Sequence, residues 1–149
     1  MKERESMKSF TLILCALDGS MSPPAQTTES PVWSTVSDAI ENAFQNDGFV
    51  DLRVIGSSFV KELCMKSLSG KYRMVASTRS DDPKLELMEW WELGDSPFRG
   101  VEYFGDDALD LRTVCSDVSV ARGLFKEIYD SGELKTGLLQ MRSQWDPKQ

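Results

Sequence analysis

The sequence predicts an α+β protein, a mostly antiparallel sheet of about four to six strands with two main helices packed on one face. Three observations carry that prediction. Short segments of β-rich, partly alternating residues follow one another from Phe49 to Glu92 with only brief turns between them. Links that short join antiparallel neighbours, because a parallel partner needs a long crossover. Two other segments repeat apolar residues at three- and four-residue steps, the spacing of a helix with one buried stripe. Finally, 149 residues with 40% hydrophobic content suffice for one core and leave no room for a second domain.

Residues 1–9 are polar and mixed in charge and read as a flexible leader. Phe10 to Ala16 is apolar and β-rich without polar alternation, as expected of a strand central in its sheet. Asp18 to Ser30, rich in Gly, Ser, Pro and Thr, reads as a loop. Ser30-Pro31 then offers a cap and a first-turn proline for a helix, in which Trp33, Val36, Ile40, Ala43 and Phe44 form the apolar stripe. Asn46-Asp47-Gly48 ends it.

Val50, Leu52 and Val54 alternate with Asp51 and Arg53, which predicts a half-buried strand over Phe49 to Ile55. Further strands are predicted at Ser58 to Leu68, Tyr72 to Thr78 and Leu85 to Glu92, separated by Ser69-Gly70 and Asp81-Asp82-Pro83. Arg99 to Phe104 can add one more. The second helix begins at Ser116-Asp117, carries Val118, Ala121, Phe125 and Ile128 on one face with Leu124 beside them, and stops at Ser131-Gly132. A short helical turn is expected around Leu134 to Met141. The domain thus spans 10–142, and 143–149 is a tail, frayed apart from Trp145.

Seventeen basic against 24 acidic side chains leave a net charge of −7, which opposes phosphate backbones and anionic membranes. A basic partner or cations are favoured instead, although surplus acid is also common in soluble proteins. Lys2, Arg4 and Lys8 before the run Phe10 to Leu17 imitate a signal peptide. The run is short, Asp18 follows at once and no small-x-small site comes next, so a cytoplasmic protein is expected. No stretch has the length of a membrane span.

Histidine is absent. That removes the usual general base near neutral pH, the Ser-His and Cys-His pairs and the commonest transition-metal ligand. Cys15, Cys64 and Cys115 are an odd set without close spacing, so they read as small buried thiols and not as a disulfide framework or zinc site. No phosphate-cradling glycine motif or nucleophile elbow is present. The expectation is a protein that is not an enzyme and uses no cofactor or metal.

Acidic residues concentrate between Asp81 and Asp130, where few basic residues oppose them, so one markedly negative region is expected. Gly105-Asp106-Asp107 with Asp110 offers oxygen ligands to a hard cation but lacks the calcium-loop pattern, and adjacent aspartates in a glycine turn are commonly solvated turn formers. Glu89 with Glu92 would suit an acid/base pair, yet strand alternation puts them on opposite faces. Trp90 and Trp91 also point to opposite faces. One anchors the core, while the other is either packed as well or exposed beside carboxylates as an anchor for an Arg-rich partner. The partner-binding set drawn from this region is Glu89, Trp91, Glu92, Asp95, Glu102, Asp106, Asp107 and Asp110. Arg99 and Arg112, embedded among acids, read as internal charge partners.

The run Leu87-Met88-Glu89-Trp90-Trp91-Glu92, then Phe98-Arg99-Gly100, Phe104-Gly105-Asp106-Asp107 and Asp110 to Cys115 with Asp117 to Ala121, resembles small bacterial immunity proteins of polymorphic toxin systems, including contact-dependent growth inhibition. The likeness covers roughly Phe10 to Leu134 and is strongest from Leu87 onward. It implies a cytoplasmic protein that binds and neutralises one cognate toxin domain, often a nuclease or other basic enzyme, by steric and electrostatic occlusion. No toxin-contacting residue carries over, because cognate pairs diverge at the contact surface. Two rival readings remain: a small ligand-binding or catalytic domain using the clustered carboxylates, and a structural subunit whose acidic face keeps an assembly soluble.

Overall fold

The computed structural model describes residues 10–17, 26–56, 58–92 and 97–143. Along them run β1 (Phe10–Leu17), β2 (Gln26–Glu29), α1 (Trp33–Gln45), β3 (Phe49–Gly56), β4 (Val60–Leu68), β5 (Lys71–Thr78), β6 (Leu87–Trp90), β7 (Val101–Phe104), β8 (Asp107–Asp110), α2 (Val118–Ser131) and β9 (Met141–Ser143). Seven strands form one sheet in the order β2-β1-β3-β4-β5-β6-β9, with antiparallel pairing throughout. β7 and β8 pair only with each other, as a separate two-stranded sheet. The fold is α+β as the patterning predicts, with more strands than expected.

The additional strands escape sequence patterning for a physical reason. β2 is Gln-Thr-Thr-Glu, exposed along its whole length at the sheet edge, so it lacks the alternation that marks a half-buried strand. It lies inside the segment expected to be loop. β9 has three residues, and its pairing with β6 takes in Ser143, which the sequence reading placed in the tail. Trp145 and the rest of the tail lie outside the described residues, as does the leader 1–9.

The start of α1 also differs. Ser30 has φ +50° and donates its backbone N–H to Leu12 O at 2.8 Å, which holds it at the end of the β1–β2 pairing. The helix therefore begins at Trp33, with Val32 at the cap position and no side-chain cap. α2 follows expectation. Asp117 accepts from Ser119 N, and Gly132 closes the helix at φ +74°.

Register sorts the sheet into two faces. Leu12, Leu14, Val50, Leu52, Val54, Leu63, Met65, Met74 and Ala76 point to one side and are buried. Val36, Ile40 and Ala43 of α1 and Ala121, Leu124, Phe125 and Ile128 of α2 join the same core, so both helices cover that face. Each fully buried Val, Leu or Ile contributes roughly 1.5–3 kcal/mol. Tyr72 fastens α2 to the sheet: its hydroxyl donates to Asp117 O at 2.5 Å and accepts from Ala121 N at 3.0 Å. The opposite face is open along a row that runs Cys15, Asp51, Cys64, Val75, Glu89, Arg142 across five strand pairings. Among the described residues no helix is long and apolar enough to cross a membrane.

Candidate functional site

The β7–β8 hairpin lies at one end of the open face. A two-residue loop, Gly105-Asp106, joins its strands, and Gly105 takes φ +65° as such a tight turn requires. Its inner side is tied down. Phe104 is buried, Glu102 pairs with Lys71 at 3.3 Å, and a Cβ on Gly105 would sit 3.8 Å from Leu68 Cδ2. Its outer side is not. Val101 and Tyr103 are 53% and 72% exposed, Ala108 stands opposite Tyr103, and neighbouring Phe98 is 62% exposed.

Most carboxylates of the predicted acidic set are already engaged. Glu89 pairs with Arg73 across β5 and β6, and Glu92 with Arg99. Asp110 accepts from Arg112 through Nε at 2.9 Å, Nη2 at 2.6 Å and the backbone N–H at 3.0 Å. The Arg112 hydrogen bonds hold the Asp110 carboxyl below the usual carboxylate range despite partial desolvation. Asp106 and Asp107, at the hairpin tip, are exposed and form no ion pair with the described residues. Asp95 lies outside the described residues. Among the described residues, the exposed carboxylates of this region without an ion pair then include Asp106 and Asp107 at the hairpin tip and Asp81, Asp82 and Glu86 on the approach to β6.

Trp91 is not an exposed anchor. It is 3% exposed, with the guanidinium carbons of Arg112 and Arg142 at 4.9 and 5.1 Å from its ring centroid. Its backbone N–H donates to Gln140 O at 3.1 Å. Trp90, on the other side of β6, packs against the core. Arg99 and Arg112 serve as the internal charge partners that the sequence suggests.

Between Trp91 and the hairpin lies a groove of about 550 Å³, walled by Arg73, Glu89, Phe98, Leu109 and Arg112 among others. A depression of about 200 Å³ bounded by Val75 and Leu87 adjoins it and shares Arg73 and Glu89. Glu89 and Trp91 share this groove, but Glu92 and Glu102 are not among its walls.

A second constellation was not legible in the sequence. Asp51 on β3 stands opposite Cys64 on β4, and the ligand atoms of Asp51, Glu62 and Cys64 lie within 4.8 Å of one another. Burial, then a hydrogen bond and charge repulsion from Glu62, push the Asp51 carboxyl up to about 7. Cys64 Sγ donates to Asp51 Oδ1 at 3.6 Å, and burial raises its thiol well above the ordinary range. The cluster thus holds a proton near neutral pH. Strand alternation places Asp51 and Cys64 on the open face, but only register brings them together. Cys115 is the buried thiol of the three, whereas Cys15 and Cys64 are half-buried on that face. The cysteines are free.

No family model and no curated protein matches the chain. Among solved structures, the crystal structure of a hypothetical protein from Neisseria gonorrhoeae is similar to it. The TM-score is 0.65 over 87% of this chain and 94% of that one, with 16% sequence identity. At that identity the likeness concerns the fold alone.

Proposed function

We propose that this chain is an immunity-type inhibitor of the bacterial cytoplasm, which binds a basic toxin domain and blocks it by occlusion without catalysing a reaction itself. One observation carries the reading: at the β7–β8 hairpin, the exposed aromatic and apolar side chains Phe98, Val101 and Tyr103 stand beside the carboxylates of Asp106 and Asp107, which form no ion pair with the described residues. Aromatic anchors with a charged rim are the composition of a protein-recognition surface. With a net charge of −7, the chain draws a cationic partner toward that rim, where carboxylates stand in for substrate phosphates. The sequence resemblance to immunity proteins points the same way.

The roles divide along the hairpin. Asp106 and Asp107 govern encounter, and Tyr103 with Phe98 governs residence. Asp110 is not a contact residue here, because its carboxylate is committed to Arg112. The test is association kinetics with the product of the reading frame directly upstream, over a salt series. Asp106→Lys with Asp107→Lys is expected to slow association by about tenfold at low salt and to flatten the salt dependence. Tyr103→Ala is expected to speed dissociation. An association rate indifferent to charge reversal and to salt would overturn the reading.

A further inference from the structure

We propose that Asp51, Glu62 and Cys64 form a binding site for a divalent cation of the zinc class on the open face of the sheet. This goes beyond the toxin-binding reading, because the three residues belong to β3 and β4 and none of them is part of the β7–β8 hairpin.

Register builds the site. Asp51 stands opposite Cys64 in the β3–β4 pairing, and Glu62 lies two residues before Cys64 on the same side of β4. Both strands are interior to the seven-stranded sheet, so the backbone positions of the donors are set before an ion arrives. The three side chains are half-buried, and their ligand atoms lie within 4.8 Å of one another. Cys64 Sγ is 3.6 Å from Asp51 Oδ1. Around a tetrahedral zinc ion, with Zn–S about 2.3 Å and Zn–O about 2.0–2.2 Å, a sulfur and an oxygen ligand stand about 3.5–3.7 Å apart. That pair is therefore already at the separation of two ligands on one ion, and Glu62, with its longer side chain, closes the third position by rotation.

Charge and donor type choose the ion. Asp51 and Glu62 form no ion pair with the described residues, and Arg53, opposite Glu62, is exposed. A dication held between two half-buried carboxylates supplies opposite charge at contact distance, and on entering it sends the protons of the cluster to solvent. The thiol decides between cations. Magnesium and calcium are held by oxygen ligands, whereas a thiolate selects zinc and metals like it. Three protein donors leave a fourth position open toward solvent, the pattern of a zinc site that accepts a further ligand.

The experiment titrates the reduced, chelator-treated full chain with cobalt(II), a coloured stand-in for zinc, and records absorption. One equivalent is expected to produce a saturable thiolate-to-cobalt charge-transfer band, which carboxylates elsewhere on the surface cannot give. Zinc is expected to abolish the band at stoichiometric addition and magnesium to leave it in place even in large excess. Cys64→Ser is expected to remove the band, while Asp51→Asn and Glu62→Gln each weaken cobalt binding at least about tenfold. Cys15→Ser, on the neighbouring strand and outside the group, is expected to keep it. The proposal is overturned if no saturable band forms, if the band persists in Cys64→Ser, if magnesium displaces cobalt as well as zinc does, or if neither carboxylate variant weakens binding.

Discussion

At the residue scale, Asp51 shows how a sheet face converts register into chemistry. Glu62 and Cys64 reach it from β4, and among the described residues Cys15 from β1 and Arg53 on its own strand also neighbour it. Its folded-state pKa, about 7, lies above the ordinary value of 3.8, so the native state binds the proton more tightly than the unfolded chain. The contribution of this group to stability is therefore greatest in acid, falls as pH rises between those two values, and is least above them. Asp51→Asn removes the titration. Relative to wild type, it is expected to raise the denaturant midpoint more at pH 8 than at pH 5, and an equal change at both pH values would refute the raised pKa.

Glu127 illustrates the opposite sign. Partial burial opposes its charge, yet its carboxylate accepts the backbone N–H groups of Lys135 and Thr136 at 2.8 Å and of Gly137 at 3.0 Å, and the net pKa falls. Its stabilisation is present at neutral pH and lost as pH drops through the lowered folded value. Glu127→Gln is thus expected to destabilise at pH 7 and to approach wild type in acid, as read by thermal midpoints across pH. These residue-level facts were only partly legible in the sequence. Alternation puts Asp51 and Cys64 on a polar face, and Asp117 reads directly as a helix cap. Nothing local reveals that Glu127 organises a segment beyond its own helix, or that Glu62 lies beside Asp51, because both depend on tertiary placement.

At the scale of elements, the strongly periodic segments were the legible ones. α1, α2 and β3 show their periods because one side is buried and the other wet, which is what periodicity reports. β2, β8 and β9 are short, and β2 and β8 are largely exposed, so their composition carries no such contrast. The acidic stretch failed as a map of the site for a related reason. Sequence counts charges, but Arg73, Arg99 and Arg112 fold back onto Glu89, Glu92 and Asp110, whereas Asp106 and Asp107 at the hairpin tip form no such pair with the described residues. The joint between α2 and the sheet is a further consequence of tertiary packing. Tyr72→Phe would leave Asp117 O and Ala121 N without their buried partner, at an expected cost of roughly 1–3 kcal/mol in chemical denaturation. A negligible change would mean that the hydroxyl is not a structural link.

At the scale of the whole molecule, the two helices close one face of the seven-stranded sheet, and the hairpin caps one end of the other.

The most direct test of the central claim is survival of cells that co-express the chain with the product of the neighbouring upstream reading frame, scored together with co-purification. Rescue and a stable complex are expected with the wild-type chain, and loss of both with Tyr103→Ala combined with Asp106→Lys and Asp107→Lys, at an unchanged thermal midpoint. Equal rescue by the folded triple variant, or no complex with the wild-type chain, would contradict it.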